Sequence, residues 1–278
     1  MTEGTHEQQR PGTPPLTERS SRVVVARKLT RRAGRDRAGA FLAEGAQAVG
    51  EALAAHAAGR AEVRALFATE EQAAKLPEVD VPLHVVTDRA AASLSETVTP
   101  QGLVALCALP TTTPAEALAE RPPLVAVLLG VSDPGNAGTV VRVADAAGAG
   151  SVLFAGDAVD PYNGKAVRAS TGSVFHLPVA RDRDASAVLA ACRAAGLRLV
   201  GADGYAEGDL DSAAAAGELA VPTAWVFGSE AHGLPPEVLA ELDATLRVPI
   251  YGGAESLNLA TAAAVCLYAS ARAQRHRG

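Results

Sequence analysis

The stretch Leu124-Val-Ala-Val-Leu-Leu-Gly130 is an uninterrupted apolar run of strand length that ends at a glycine. A run with no polar residue on either face is typical of a parallel strand that is covered by helices on both sides. Strand and helix patterns alternate after it, which predicts a doubly wound α/β sheet. Such sheets bind ligands beyond the carboxyl ends of their strands, so we expect the functional residues in the loops there.

Further predicted elements follow this strand in regular alternation. The predicted strands cover residues 151–155, 197–201, 223–228 and 245–250. The predicted helices end at Ala147 or cover residues 185–195, 235–242 and 257–274.

The chain before Leu124 predicts a second, smaller α/β domain. Its apolar patterns indicate helices over 41–58, 70–76 and 90–94 and strands over 63–69, 83–87 and 103–109. Prolines and threonines in Pro110-Thr-Thr-Thr-Pro114 and at Pro122-Pro123 predict a linker. The predicted organisation is a disordered tail over 1–20, a small domain over 21–108, a linker over 109–121 and a larger domain over 122–278.

Composition argues against several classes of protein. The 278 residues are 48% hydrophobic and 20% charged, and no apolar run approaches the ~18 residues of a membrane span. The three cysteines, Cys107, Cys192 and Cys266, lie in apolar stretches without any CxxC spacing. We therefore expect a cytoplasmic globular protein with free thiols and no membrane contact.

Charge is distributed unevenly although the net charge is -6. Residues 1–37 carry nine Lys/Arg and four Asp/Glu, whereas the remaining 241 residues carry 16 basic and 27 acidic groups. A basic cluster of this kind is typical of a contact with a nucleic-acid backbone, although a solvated helix face is the ordinary alternative. Its basic members include Arg22, Arg27, Lys28, Arg31, Arg32, Arg35 and Arg37.

The common nucleotide-binding motifs are incomplete. Gly228-Ser-Glu-Ala-His-Gly233 has P-loop spacing, but Leu234 and Pro235 stand where the lysine and Ser/Thr belong. Gly148-Ala-Gly150 precedes a predicted strand rather than following one, which argues against a dinucleotide fingerprint. Triphosphate hydrolysis and dinucleotide binding are therefore not predicted.

Three loops after predicted strands carry unusual polar residues. The first contains Asn136 and leads to Arg142, a lone cation on an apolar helix that could pair with Asp145 or clamp a phosphate. The second presents Glu230 beside a glycine turn that Ser229 could cap. In the third, Ser256 could simply cap the last helix, whereas Asn258 has no evident structural role.

Together these loops resemble the three signature motifs of the SpoU/TrmH family of RNA 2′-O-ribose methyltransferases, in the SPOUT superfamily. The similar residues are Asn136 with Arg142, the 228–233 loop, and Val248-Pro-Ile250 followed by Ser256-Leu-Asn258. The segment 165–172 is also similar to one between the first two motifs. The resemblance covers 124–275 and, more loosely, 22–108, which is similar to a substrate-binding domain of L30e type.

The resemblance implies a parallel-sheet SPOUT domain with a C-terminal trefoil knot, S-adenosylmethionine as cofactor, and a homodimer. It places cofactor contacts on Gly228, Val248, Ile250 and Leu257, with Arg168 near a substrate phosphate. It implies a catalytic set of Asn136, Arg142, Glu230, Ser256 and Asn258. From the basic cluster we expect Arg27, Lys28, Arg31, Arg32 and Arg35 to contact RNA.

The predicted activity is methylation of a ribose 2′-hydroxyl in structured RNA, with 23S ribosomal RNA favoured over transfer RNA. No metal is expected, because the methyl donor is already activated by its positive sulfur. The resemblance makes Arg142 the general base, but a guanidinium is always protonated, so it could equally clamp a phosphate and stabilise the alkoxide. A non-catalytic ribosome-assembly relative and a small-molecule methyltransferase are the alternatives.

Overall fold

The structure is a computed structural model that describes residues 14–275. The chain divides into two compact units. The first unit runs to Pro110 and also includes Tyr162–Phe175, a stretch that the sequence analysis placed in the larger domain. The second unit comprises Thr111–Pro161 and the chain from His176 onward.

Among the described residues, eight of the eleven strands lie where the sequence predicted them, whereas those at 40–44, 179–182 and 208–209 were not predicted. In chain order they are β1 Ala40–Glu44, β2 Val63–Ala68, β3 Leu83–Val85, β4 Leu103–Ala108, β5 Leu124–Leu129, β6 Ser151–Ala155, β7 Val179–Asp182, β8 Arg198–Ala202, β9 Gly208–Asp209, β10 Thr223–Phe227 and β11 Ala244–Arg247.

The helices vary in length from one turn to nearly five. In chain order they are α1 Ser21–Arg27, α2 Arg32–Ala38, α3 Ala46–Ala57, α4 Glu70–Ala73, α5 Asp88–Ser93, α6 Pro114–Ala117, α7 Pro134–Ala147, α8 Gly164–Ser170, α9 Ala185–Ala194, α10 Leu210–Ala215, α11 Pro236–Leu239 and α12 Leu259–Arg275. Three short 3₁₀ turns cover Lys28–Thr30, Ser173–Phe175 and Glu218–Ala220.

The first unit contains a four-stranded mixed sheet in the order β1-β4-β2-β3. The prediction of one helix over 41–58 is wrong at its start, because residues 41–44 belong to the strand β1. Gly39 and Gly45, both with positive φ, bracket this strand and separate it from α2 and α3. Antiparallel pairing with β4 buries Phe41 and Leu42. The stabilisation from this burial outweighs the helical periodicity of apolar residues on which the prediction rested.

The disordered tail predicted over residues 1–20 does not extend over residues 14–20. Leu16 forms a parallel bridge with Val86, and its backbone exchanges hydrogen bonds with Val85 and Thr87. The prediction is therefore wrong for residues 14–20, because this pairing and the packing of Leu16 on the core supply the ordering energy. Residues 1–13 lie outside the described part of the chain.

The second unit contains a seven-stranded sheet in the order β7-β6-β5-β10-β8-β11-β9, and each neighbouring pair is parallel. The apolar run at Leu124 is the interior strand β5, and its residues 124–128 are almost completely buried. The parallel doubly wound sheet predicted from that run is confirmed. The loops after β5, β10 and β11 accordingly lie at one edge of the sheet.

Two elements of the second unit are shorter than predicted. The strand expected over 245–250 ends at Arg247, since Pro249 has no N–H to donate to a neighbouring strand. The helix expected over 235–242 is a single turn, α11. No helix among residues 14–275 has both the length and the apolar character to cross a membrane.

Candidate functional site

Glu230 is the centre of a polar network in the second unit. It lies in the loop after β10, and its carboxylate accepts four hydrogen bonds from the loop after β5 and the first turn of α7. Oε2 accepts from the backbone N–H and the hydroxyl of Ser132, at 3.1 and 3.2 Å. Oε1 accepts from the backbone N–H of Asp133 at 3.2 Å and from Nδ2 of Asn136 at 3.1 Å. The carboxylate therefore ties together two loops that are remote in sequence.

These contacts also set the ionisation of Glu230. Burial by itself raises the pKa of the carboxyl, but the hydrogen bonds from Asn136, Ser132 and Asp133 favour the charged form and together lower the pKa below its ordinary value. With a lowered pKa and four donors on its oxygens, Glu230 is a poor proton acceptor at neutral pH. Its arrangement suits holding a loop in place rather than general-base chemistry.

The network continues from Asn136 to the third loop. Nδ2 of Asn258 donates to Oδ1 of Asn136 at 3.0 Å, and Oδ1 of Asn258 accepts from the backbone N–H groups of Ala260 and Thr261. Because a carboxylate only accepts, Asn136 must turn its NH₂ toward Glu230 and its oxygen toward Asn258. A chain of hydrogen bonds from the carboxylate of Glu230 to the N-terminus of α12 thus fixes the orientation of both side-chain amides.

The structure decides whether Ser256 and Ser229 have the capping roles suggested for them. Asn258, not Ser256, satisfies the first N–H groups of α12, so the suggestion that Ser256 caps this helix is wrong. Ser229 does cap its own turn, since its hydroxyl accepts from the N–H of His232. In the first loop, Asp133 caps α7 by accepting from the backbone N–H of Asn136.

Gly228 is required by the loop that follows it. A Cβ at this position would lie 2.2 Å from the carbonyl carbon of Gly233 and 2.5 Å from the nitrogen of Leu234. Ser229 and Gly233 form an antiparallel bridge that closes the same turn. The close approach at Gly228 is thus made by the loop's own backbone, and the cofactor contact expected there stays a prediction.

The remaining predicted residues of the second unit are exposed or half-buried. Ser256 is exposed, and Ile250 is 38% exposed beside Tyr251 at 87%. Val248 and Leu257 are half-buried in the same segment. Arg142 lies on the exposed side of α7, between one and two turns after Asn136. Its suggested partner Asp145 accepts a 2.7 Å hydrogen bond from Nδ1 of His176.

Arg168 belongs to the first unit, on α8. Its guanidinium lies 3.3 Å from Oε2 of Glu44, whose other oxygen accepts hydrogen bonds from the hydroxyls of Ser95 and Thr97. Glu44 was not among the residues predicted from the sequence. A buried carboxylate among hydroxyls and a cation is a contact that the linear pattern of the strand β1 does not reveal.

One predicted RNA contact is wrong. Arg35 is only 2% exposed, and its Nη1 donates to the backbone carbonyls of Leu29 at 2.9 Å and Thr30 at 3.1 Å. A guanidinium that caps carbonyls inside the fold has no surface to offer to RNA. Arg32 forms an ion pair with Asp36 at 3.8 Å, whereas Arg27, Lys28 and Arg31 have exposed side chains.

Ser132 and Asp133 are the site residues that sequence reasoning missed. Neither residue was among the predicted site residues, yet their backbone N–H groups donate to Glu230. Backbone donors carry no signal in residue type, and only the short spacing to the predicted residue Asn136 pointed to this loop.

Comparison with known proteins finds a family match in each of the two parts of the chain. The sequence profile of the SpoU rRNA Methylase family matches residues 123–268, and that of the MRM3-like substrate binding domain matches residues 21–105. The chain is 32% identical to the 23S rRNA (guanosine(2553)-2′-O)-methyltransferase RlmP of Bacillus subtilis, over 90% of this chain and 96% of that protein.

Solved structures agree with this assignment. The AdoMet-bound rRNA methyltransferase from Sinorhizobium meliloti has a TM-score of 0.79 at 30% identity, covering 93% of this chain and 97% of the other. The SpoU methyltransferase AviRb from Streptomyces viridochromogenes, in complex with AdoMet, also has a TM-score of 0.79 at 30% identity, covering 94% and 100%. A profile that matches more than half of the sequence, and a relative that is similar over nearly its whole length, lead to one conclusion: the chain belongs to the SpoU rRNA methylase family.

Proposed function

We propose that this chain transfers the methyl group of S-adenosylmethionine to the 2′-hydroxyl of a ribose in structured RNA, and that its substrate is 23S ribosomal RNA. The observation that carries the proposal is the directed network from Glu230 through Asn136 to Asn258, which joins three loops at the carboxyl edge of a parallel sheet. Relatives with named 23S rRNA 2′-O-methyltransferase activity support the choice of substrate.

The residues at this edge fit the cofactor. Val248, Ile250 and Leu257 offer partly exposed apolar side chains in an irregular segment whose backbone is accessible. An adenine ring and a methionine chain need this combination of apolar surface and backbone hydrogen-bonding groups. When bound, S-adenosylmethionine supplies a methyl group that its positive sulfur has already activated.

The network leaves donors for the ribose. Each side-chain NH₂ group has two N–H donors, and the hydrogen bonds among the described residues use one on Asn136 and one on Asn258. The second N–H of each amide can face the substrate oxygen, with Ser256 as a further exposed donor. Because both amides are held by Glu230 and by α12, they need little reorganisation as charge develops on the 2′-oxygen.

Arg142 completes the proposed catalytic set. Its guanidinium stays protonated near neutral pH, so we assign it to the substrate phosphate and to the developing alkoxide rather than to proton removal. Arg142→Lys keeps the charge but loses the fork of donors, so most methyl transfer should disappear while S-adenosylmethionine binding survives. Near-normal turnover by Arg142→Lys would contradict the fork, and a rate that rises only above neutral pH would indicate a base.

We propose further that residues 21–108 form an L30e-like reader of RNA and that residues 122–278 form the catalytic domain with a C-terminal trefoil knot. The match of the MRM3-like substrate binding domain to 21–105 supports the first assignment. A homodimer and a cytoplasmic setting complete the proposal, the latter because all three cysteines are free.

The test is transfer of labelled methyl groups to total ribosomal RNA and, separately, to total transfer RNA. We expect label in 23S RNA and a ribose-methylated linkage that resists alkaline hydrolysis at one nucleotide. Label in transfer RNA alone would show that the substrate is transfer RNA and not 23S ribosomal RNA. Retained RNA binding without transfer to either RNA would favour a ribosome-assembly role.

A further inference from the structure

A basic groove in the first unit has no role in the site described above. It lies between α1, α2 and the segment that follows α5, and its volume is about 550 Å³. This is within the range of cavities that enclose a small ligand. Four cationic side chains and one carboxylate, that of Glu96, line it. The cations are Arg27, Lys28, Arg31 and Arg37.

These four cations are available to an anion. All four are exposed, and among residues 14–275 none of them forms an ion pair. The whole chain carries a net charge of -6, so this positive surface stands against an acidic background. A concave surface of one sign concentrates ligands of the opposite sign.

The groove is built on a rigid base. Arg35 lies buried behind it and holds the turn before α2 through the carbonyls of Leu29 and Thr30. At Gly34 a Cβ would lie 1.9 Å from the carbonyl oxygen of Lys28, so only glycine lets α2 pack this closely. The positions of the groove cations therefore depend on Arg35 and Gly34, neither of which presents a charge to the groove.

We infer that this groove receives an unstacked nucleotide of single-stranded RNA, with its flanking phosphates on the four cations. Guanidinium planes can stack on a free base, and the hydroxyls of Thr30, Ser93 and Ser95 with the carboxylate of Glu96 can bond to its edges. A regular duplex keeps its bases stacked and paired, so no single base can enter a concave site of this size. The inference rests on the proposed function as an RNA-modifying enzyme.

The experiment compares the full-length protein with two triple variants of equal charge. The groove variant carries Arg27→Gln, Arg31→Gln and Arg37→Gln. The control carries Arg64→Gln, Arg183→Gln and Arg193→Gln, three arginines that do not line the groove. The probes are a labelled single-stranded RNA of about ten nucleotides, within known single-strand site sizes, and the same strand in a duplex.

We expect the natural protein and the control variant to bind the single strand more tightly than the duplex. The groove variant should bind the single strand on the order of tenfold or more weakly at low salt, and its slope against salt should fall by about two, since each lost phosphate contact removes about 0.7. Equal affinity of the groove and control variants for the single strand overturns the inference. The same result is expected if the groove binds an acidic protein instead of RNA. Equal binding of duplex and single strand also overturns the inference.

Calorimetric binding of S-adenosylmethionine and methyl transfer to ribosomal RNA separate this inference from the proposed function. Both variants should bind the cofactor as the natural protein does. If the natural protein methylates RNA while the groove variant binds RNA normally, only the groove assignment fails. If the natural protein transfers no methyl group, the proposed function fails, and the RNA-binding comparison still decides the groove.

Discussion

Replacing the carboxylate of Glu230 with an amide tests the directed network. In Glu230→Gln, one oxygen that accepts two hydrogen bonds becomes an NH₂ group. If the NH₂ group takes the place of Oε2, it opposes the backbone N–H of Ser132. If it takes the place of Oε1, it opposes the N–H of Asp133 and the amide of Asn136. Either orientation leaves at least one backbone donor without its acceptor.

The second orientation has a further cost at the helix. Asn136 can relieve the clash only by turning its oxygen toward the introduced NH₂ group, which sets its own NH₂ against that of Asn258. Asn258 would then have to turn its NH₂ toward the first N–H groups of α12 and lose the cap. Hydrogen bonds to charged groups contribute about 1.5–3 kcal/mol, and since Glu230 is exposed we expect a loss of about 1–2 kcal/mol in the free energy of unfolding.

Urea unfolding followed by the fluorescence of Trp225 measures this loss. Trp225 is the single tryptophan and is buried in β10, so it reports on the second unit. Glu237→Gln is the control, because Glu237 is exposed on α11 and its carboxylate has no hydrogen bond among the described residues. S-adenosylmethionine affinity should also fall in Glu230→Gln and remain unchanged in the control.

The pH dependence gives a second measurement. The pKa of Glu230 is lowered in the folded protein, so its charged form stabilises the fold above the ordinary value of 4.5 and this contribution is lost as the pH falls through the folded pKa. The difference between the natural protein and Glu230→Gln should be complete at pH 7 and shrink below 4.5. Equal unfolding midpoints at pH 7, or a difference that grows in acid, would refute the reasoning.

Three further outcomes are expected. Gly228→Ala should break the turn closed by Ser229 and Gly233 and abolish S-adenosylmethionine binding; calorimetry showing unchanged affinity would contradict the packing of this loop. Ser270→Ala should lower the free energy of unfolding by about 1–3 kcal/mol, since it leaves the buried indole N–H of Trp225 without its acceptor at 2.9 Å; an unchanged urea midpoint would count against it. Burial raises the pKa of each cysteine to about 12, so a thiol reagent at neutral pH should label the folded protein only after denaturant is added; the thiols concerned are Cys107, Cys192 and Cys266.

Local pattern in the sequence was sufficient for the parallel sheet and for three residues of the polar network. The apolar run at Leu124 identified β5 because a strand buried on both faces leaves no polar residue in its own sequence. The rule that ligands bind beyond the carboxyl ends of parallel strands then pointed to Asn136, Glu230 and Asn258. All three lie in the network that the structure contains.

Tertiary structure alone decided what those side chains do. Asn136 and Glu230 are 94 residues apart, and Asn136 and Asn258 are 122 apart, so their hydrogen bonds exist only once the strands have assembled. The same holds for Arg35, which looks like its basic neighbours in sequence but is buried against backbone carbonyls. Residue type and spacing record which groups a segment carries, whereas burial and hydrogen-bond partners depend on the surfaces that meet when distant segments pack together.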